Sequence, residues 1–154
     1  MQGLFVNELT DGSVVTSVSW SIVQGVAEGG NPSGGQVKTI CSGTGAPTLT
    51  PTGRSGFGLT EYTILVTGVN CPTIEAGTYW MTVLPTTEGL AFLSDVEDNT
   101  PKNAEGPGIP VIDESFFVSA FFGFTNFTNT TDATVCGGIG CDNFSVGVVG
   151  TAIH

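Results

Sequence analysis

The chain has 154 residues, a hydrophobic fraction of 40%, and fourteen Asp and Glu against three Lys and Arg, giving a net charge of −11. That balance excludes nucleic acid as a partner, because holding a polyanion takes clustered cations, and it disfavours anionic membrane surfaces for the same reason. The cations are Lys38, Arg54 and Lys102 and the one histidine is the final residue, His154, so chemistry that needs a histidine base or a lysine nucleophile has almost nothing to run on.

Length points to one domain, residues 1–154, long enough to bury a core. Charged residues make up 11% of the chain, well under the roughly 25% of ordinary soluble domains. Thr, Ser, Asn and Gly must then cover the surface, a composition that suits pleated strands and tight turns of an extracellular β protein.

In chain order, residues 1–12 read as an extended arm with Leu4 and Val6 on one face and Phe5 on the other. A turn at Asp11-Gly12 separates it from the next strand. Such an arm pairs equally well within its own sheet or with the edge of a neighbour. Residues 14–24 alternate, with Val14, Thr16, Val18, Trp20 and Ile22 on one face and Ser17, Ser19 and Ser21 on the other, which makes Trp20 a core residue. Further strands are expected at residues 36–41, 47–52 and 61–67.

At residues 78–84, Tyr79 goes with Met81 and Val83, while Trp80 goes with Thr78 and Thr82. Tyr79 and Trp80 therefore point to opposite faces, and whichever is not in the core is a platform on which a sugar ring can stack. Strands are also expected at 90–94, 115–124 and 143–150, with turn clusters between them and no helical periodicity anywhere. About eight short antiparallel strands read as an all-β sandwich, with the jelly roll as the expected order.

Between them, residues 95–109 form a loop too long for a simple connector. Its Asp95, Glu97 and Asp98 offer hard oxygen ligands to a structural calcium ion, against the plainer reading of a solvated acidic loop. No confident metal site and no cofactor is expected. Paired acids such as Asp113-Glu114 would suit a glycosidase only if two of them converged in a cleft, which leaves hydrolysis a distant third reading behind a non-catalytic protein.

Phe116, Phe117, Phe121, Phe122, Phe124 and Phe127 crowd one region. As one strand they would place aromatics on both faces, so one side must meet a covering loop, a second sheet or another subunit. Leu4, Phe5, Val6, Phe117 and Phe121 are accordingly the candidates for self-association. The lone arginine, Arg54, most simply pairs with a nearby carboxylate such as Glu61.

Four cysteines suit two disulfides of an oxidising compartment, Cys41–Cys71 and Cys136–Cys141. Closing the longer loop is worth about 3.5 kcal/mol and the shorter about 2 kcal/mol in the chain-entropy account. Asn126, Asn129 and Asn143 head Asn-x-Ser/Thr triplets, which a chain this rich in Asn and Thr produces by chance. The first residues lack the basic start and long apolar run of a secretory leader, so the chain reads as a mature or excised form. No stretch approaches the ~20 apolar residues of a spanning helix.

The run Arg54-Ser-Gly-Phe-Gly-Leu-Thr-Glu-Tyr62, the strand ending Val66-Thr-Gly68, the hairpin Ala76-Gly-Thr-Tyr-Trp80 and the late Asp142-Asn-Phe-Ser-Val-Gly147 resemble domains of bacterial exported surface proteins of the PEP-CTERM, or choice-of-anchor, type. The likeness covers about the middle two thirds of the chain. It implies export, residence on the cell surface or in the matrix, and a β-sandwich, with no known activity. The terminal anchor helix with its basic tail is not in this sequence, so anchored, released and assembled forms all stay open. The expected role is a structural or adhesive component of a surface, matrix or filament, with itself as partner. The alternative is a carbohydrate-binding module whose partner is an extracellular polysaccharide.

Overall fold

The structure, a computed structural model, describes residues 2–11, 14–96, 115–120, 123–130 and 143–150, with residues 95, 96 and 143 described by their backbone. These residues are all-β and antiparallel, as the periodicity requires. The single domain expected from length divides into two compact units, one of Met1–Gly25, Gly35–Ser94 and Ser145–His154, the other of Val26–Gly34 and Asp95–Phe144.

In the first unit, β1 (Gly3–Thr10), β2 (Val15–Gln24), β3 (Lys38–Gly45), β4 (Pro47–Gly56), β5 (Leu59–Thr67), β6 (Trp80–Thr87), β7 (Ala91–Leu93) and β12 (Val146–Val149) build two sheets. One runs β12-β1-β5-β4, with β7 also on β1; the other runs β3-β2-β6. Alternation decides which side chains meet between them. Leu4, Val6, Ile64 and Val66 from the first sheet and Val18, Trp20, Ile22 and Val83 from the second form one buried cluster, the two-layer arrangement in which each sheet hides its apolar face on the other. The indole of Trp20 lies on its cross-strand partner Gly43, where an added Cβ would stand 2.7 Å from the ring.

Cys41 of β3 and Cys71 of the loop after β5 form the expected disulfide, with Cα atoms 5.5 Å apart across 30 positions. Both cysteines pack against the core. Cys136 and Cys141 lie outside the described residues.

Three local expectations are corrected. The arm proposed for residues 1–12 is instead the interior strand of its sheet, with β5 on one side and β12 and β7 on the other. Leu4 and Val6 are fully buried there, so they are core residues of their own sheet. The phase at the start of β2 also shifts. An irregularity in the pairing with β6 between Val15 and Ser17 turns Val15 inward at 7% exposure and leaves Val14 out at 64%. Ser145, finally, interrupts the strand expected at 143–150.

The second unit holds β8 (Asp95–Val96), β9 (Phe116–Ser119), β10 (Phe124–Asn129) and β11 (Asn143–Phe144), paired as β8 with β11 and β9 with β10. The strand expected at residues 115–124 folds back on itself, turning where the amide of Gly123 donates to the carbonyl of Ala120. Four of the phenylalanines thereby pack against one another. Phe117 meets Phe124 edge-on at 5.1 Å between ring centroids, and Phe116 meets Phe127 at 6.4 Å. Residues 28–30 run along the edge of β10, where Gly29 and Gly30 exchange backbone hydrogen bonds with Phe127 and Glu28 accepts from the amide of Asn129.

Together the described residues carry twelve strand segments against the eight expected, because residues 3–10 form a strand, the spans 115–124 and 143–150 each hold parts of two, and β8 is added.

Candidate functional site

The outer face of the three-stranded sheet is set by the residues that alternate with its core. Ser19 stands between Thr44 and Leu84 in one cross-strand row, and Ser21 between Ser42 and Thr82 in the next. Continuing along β6, Trp80 stands opposite Val23. The expected split at residues 79–80 is thus found. Tyr79 packs against the core and donates its hydroxyl to the carbonyl of Glu75 at 3.0 Å, whereas Trp80 shares the outer face with Thr82 and is half-buried.

This face holds a shallow depression of about 350 Å³ whose lining has no charged side chain. Ser19, Ser42, Thr44 and Thr82 are exposed along it, and Leu84 closes one end at 53% exposure. Leu84 stands four residue steps of extended strand from Trp80, or about 13 Å. A row of hydroxyls between two apolar ends can hydrogen-bond a polyhydroxylated ligand along its length and stack on its ring faces at the ends.

The outer face of the other sheet is built differently. Asn7 donates from Nδ2 to Ser145 Oγ at 2.7 Å and accepts from Thr63 Oγ1 at 2.7 Å. Glu61 is buried and its Oε2 accepts from Thr52 Oγ1 and from Arg54 Nε, each at 2.6 Å. Arg54 therefore has the partner its isolation in the sequence suggested. Burial works to raise the Glu61 carboxyl, but the hydrogen bonds from Thr52 and Arg54 and the arginine charge outweigh it and hold the group below the ordinary carboxylate range.

A second buried carboxylate, Glu8, points the other way, into the sandwich. Its burial pushes the carboxyl above the ordinary value, an effect only partly offset by the hydroxyl of Thr87, which donates to it at 2.8 Å. Beside it on the same strand face, the Thr10 hydroxyl is buried with no partner among the described residues. Sequence reasoning named Glu61 as the partner of Arg54 but passed over Glu8, which belongs to no acidic cluster. The one available signal for Glu8 was its parity with Leu4 and Val6. Glu8 and Glu61 face opposite sides of one sheet, so they do not converge as a glycosidase pair would.

At the end of this sheet the two-residue turn between β4 and β5 lifts Phe57 to 91% exposure. Its ring lies 6.2 Å from that of Phe92, itself 47% exposed. No expectation named this pair, although Gly-Phe-Gly between two alternating runs marks the turn.

Of the other expected site residues, Phe5 is half-buried opposite Gly147 and Phe117 half-buried beside Phe124. Asp95 lies in β8. Glu97, Asp98, Asp113, Glu114, Phe121 and His154 fall outside the described residues. Among the described residues no three His, Cys, Asp or Glu side chains group as metal ligands, and no helix is long and apolar enough to cross a membrane. Comparison with protein-family models, with curated proteins and with solved structures finds no match.

Proposed function

We propose that this chain is a non-catalytic carbohydrate-binding module of an extracellular surface or matrix, and that the outer face of β3-β2-β6 is where it meets its glycan. The observation that carries the reading is the uncharged row of Ser and Thr hydroxyls that ends at Leu84, with Trp80 next after Thr82 on the same face of β6. A net charge of −11 repels acidic polymers, so the ligand class is a neutral polysaccharide. The disulfide is consistent with an oxidising compartment, and the resemblance to exported surface domains supports the same placement.

Assembly through the N-terminal strand is the weaker reading, because β1 already has neighbours on both edges and its apolar side chains are spent on its own core. The test is affinity electrophoresis in gels carrying hydroxyethylcellulose, galactomannan or soluble starch, with alginate as the acidic comparison. Retardation by a neutral polymer, reduced about tenfold in affinity by Trp80→Ala and absent with alginate, is the expected result. No retardation by any neutral polymer overturns it.

A further inference from the structure

Phe57 stands in a backbone conformation that its own side chain disfavours. Gly56 pairs with Leu59 across a loop of two residues, Phe57 with φ 52° and Gly58 with φ 79°, the mirror-image turn whose first position normally goes to Asn, Asp or Gly. A bulky residue held there costs on the order of 1–3 kcal/mol. Phe57 is also 91% exposed, so little of its ring is removed from water in return. Its one aromatic neighbour among the described residues, Phe92, is 47% exposed and stands at 55° to it. Strain and exposure together leave the ring without a folding role that would account for it, and they fit a ring kept for a ligand.

The size of the patch decides what that ligand is. At 150–250 Å² for a whole phenylalanine, the two rings present roughly 300 Å², far below the ~800 Å² each partner gives to a stable protein interface. A lipid surface calls for cations around the spike, and Arg54, three positions before Phe57 in the chain, is committed to Glu61 at 2.6 Å. One or two sugar rings match the area that the two rings present.

The geometry points to the Phe57–Phe92 pair as a second glycan-binding site, on the sheet opposite the Trp80 face, so that one molecule bridges two polysaccharide strands. The inference rests on the carbohydrate reading above and adds to it a cross-linking role. Phe92 alternates with the inward side chains of its sheet and pairs with Leu9. Its ring thus lies on the outer side of the five-stranded sheet, while Trp80 lies on the outer side of the three-stranded one. With the sandwich between them, one strand of polymer does not lie along both sites, and binding at each joins separate chains.

The experiment uses the whole chain and four forms: unchanged, Trp80→Ala, Phe57→Asn and the double variant. Asn tolerates the left-handed turn, so Phe57→Asn removes the ring without threatening the fold. Affinity electrophoresis on the three neutral polymers gives binding, solution viscosity of the retarding polymer gives cross-linking, and sedimentation with zwitterionic vesicles tests lipid. The unchanged chain is expected to bind and to raise viscosity. Each single variant is expected to bind about tenfold more weakly and to lose the viscosity rise, and the double variant to lose binding. If Phe57→Asn matches the unchanged chain in both readouts, the second site is overturned and the Trp80 face stands. If Trp80→Ala is silent and Phe57→Asn abolishes binding, the face fails and the bridge fails with it. Vesicle binding that depends on Phe57, or no neutral polymer bound at all, overturns the inference.

Discussion

On the outer side of the five-stranded sheet, Asn7 hydrogen-bonds to Thr63 and to Ser145, and Glu61 accepts from Thr52 and Arg54. On the outer side of the three-stranded sheet, Ser19, Ser42, Thr44 and Thr82 are exposed. Both faces come from polar residues alternating with a buried apolar set, so alternation alone does not tell them apart. The difference lies in what each face has already satisfied. Groups bonded internally contribute to stability and are lost to a ligand, whereas hydroxyls in water exchange one hydrogen-bond partner for another when a ligand arrives.

The largest contrast is therefore in stability. Asn7→Ala removes a buried amide and leaves the half-buried hydroxyls of Thr63 and Ser145 without that partner, and a loss of about 2 kcal/mol is expected. Ser21→Ala on the other sheet removes a half-buried hydroxyl from an open face and should stay within about 0.5 kcal/mol. Urea unfolding of the two variants measures both. Equal losses would show that the hydroxyl face is also part of the folded-state network, and its availability to a ligand would go with it.

The two buried carboxylates sharpen the comparison through pH, with opposite signs. Glu8 has its folded value raised above 4.5, so the folded state holds its proton more tightly. Its contribution is most favourable in acid and declines as pH rises from about the unfolded value through the raised one. Glu61 is lowered from 4.5, so its contribution is present above that value and is lost as pH falls through the folded one. Glu8→Gln is expected to gain stability relative to the unchanged chain at neutral pH, and Glu61→Gln to lose it, the latter difference closing in acid. Unfolding midpoints from pH 3 to 7.5 check this. A Glu8→Gln variant less stable at pH 7 would mean that the ionised acid is paired inside the sandwich.

Much of this was legible as period two. Trp20 in the core, the split between Tyr79 and Trp80, and the pairing of Arg54 with Glu61 all follow from parity and short separation. What parity withholds is the partner. Leu4 and Val6 were read as one face of a strand, but their neighbours Val66 and Ile64 lie some sixty positions on, and nothing local distinguishes an interior strand from an arm. The phenylalanine run misled for the reverse reason. A continuous apolar stretch suggested one strand, while Gly123, with φ 81°, permits the turn that folds it into two. Glu8 was hidden because a carboxylate on an inward position contradicts the usual pattern, and only its Thr87 hydroxyl makes it tolerable there.

The smallest effect separates fold from binding most cleanly. Phe57 adjoins the bonded network of its sheet but belongs to neither of its clusters, touching instead the ring of Phe92. If its backbone strain is not offset by packing, Phe57→Asn should stabilise the fold by about 1 kcal/mol, because Asn occupies the left-handed region at lower cost. Phe57→Val, branched at Cβ and worse suited to φ 52°, should lose stability by a similar amount. Both variants remove the aromatic ring, so both should weaken glycan binding alike while moving unfolding midpoints in opposite directions. Should Phe57→Asn instead destabilise as much as Phe57→Val, the contact with Phe92 would be part of what holds the hairpin, and the exposed ring would have a structural reason to be there.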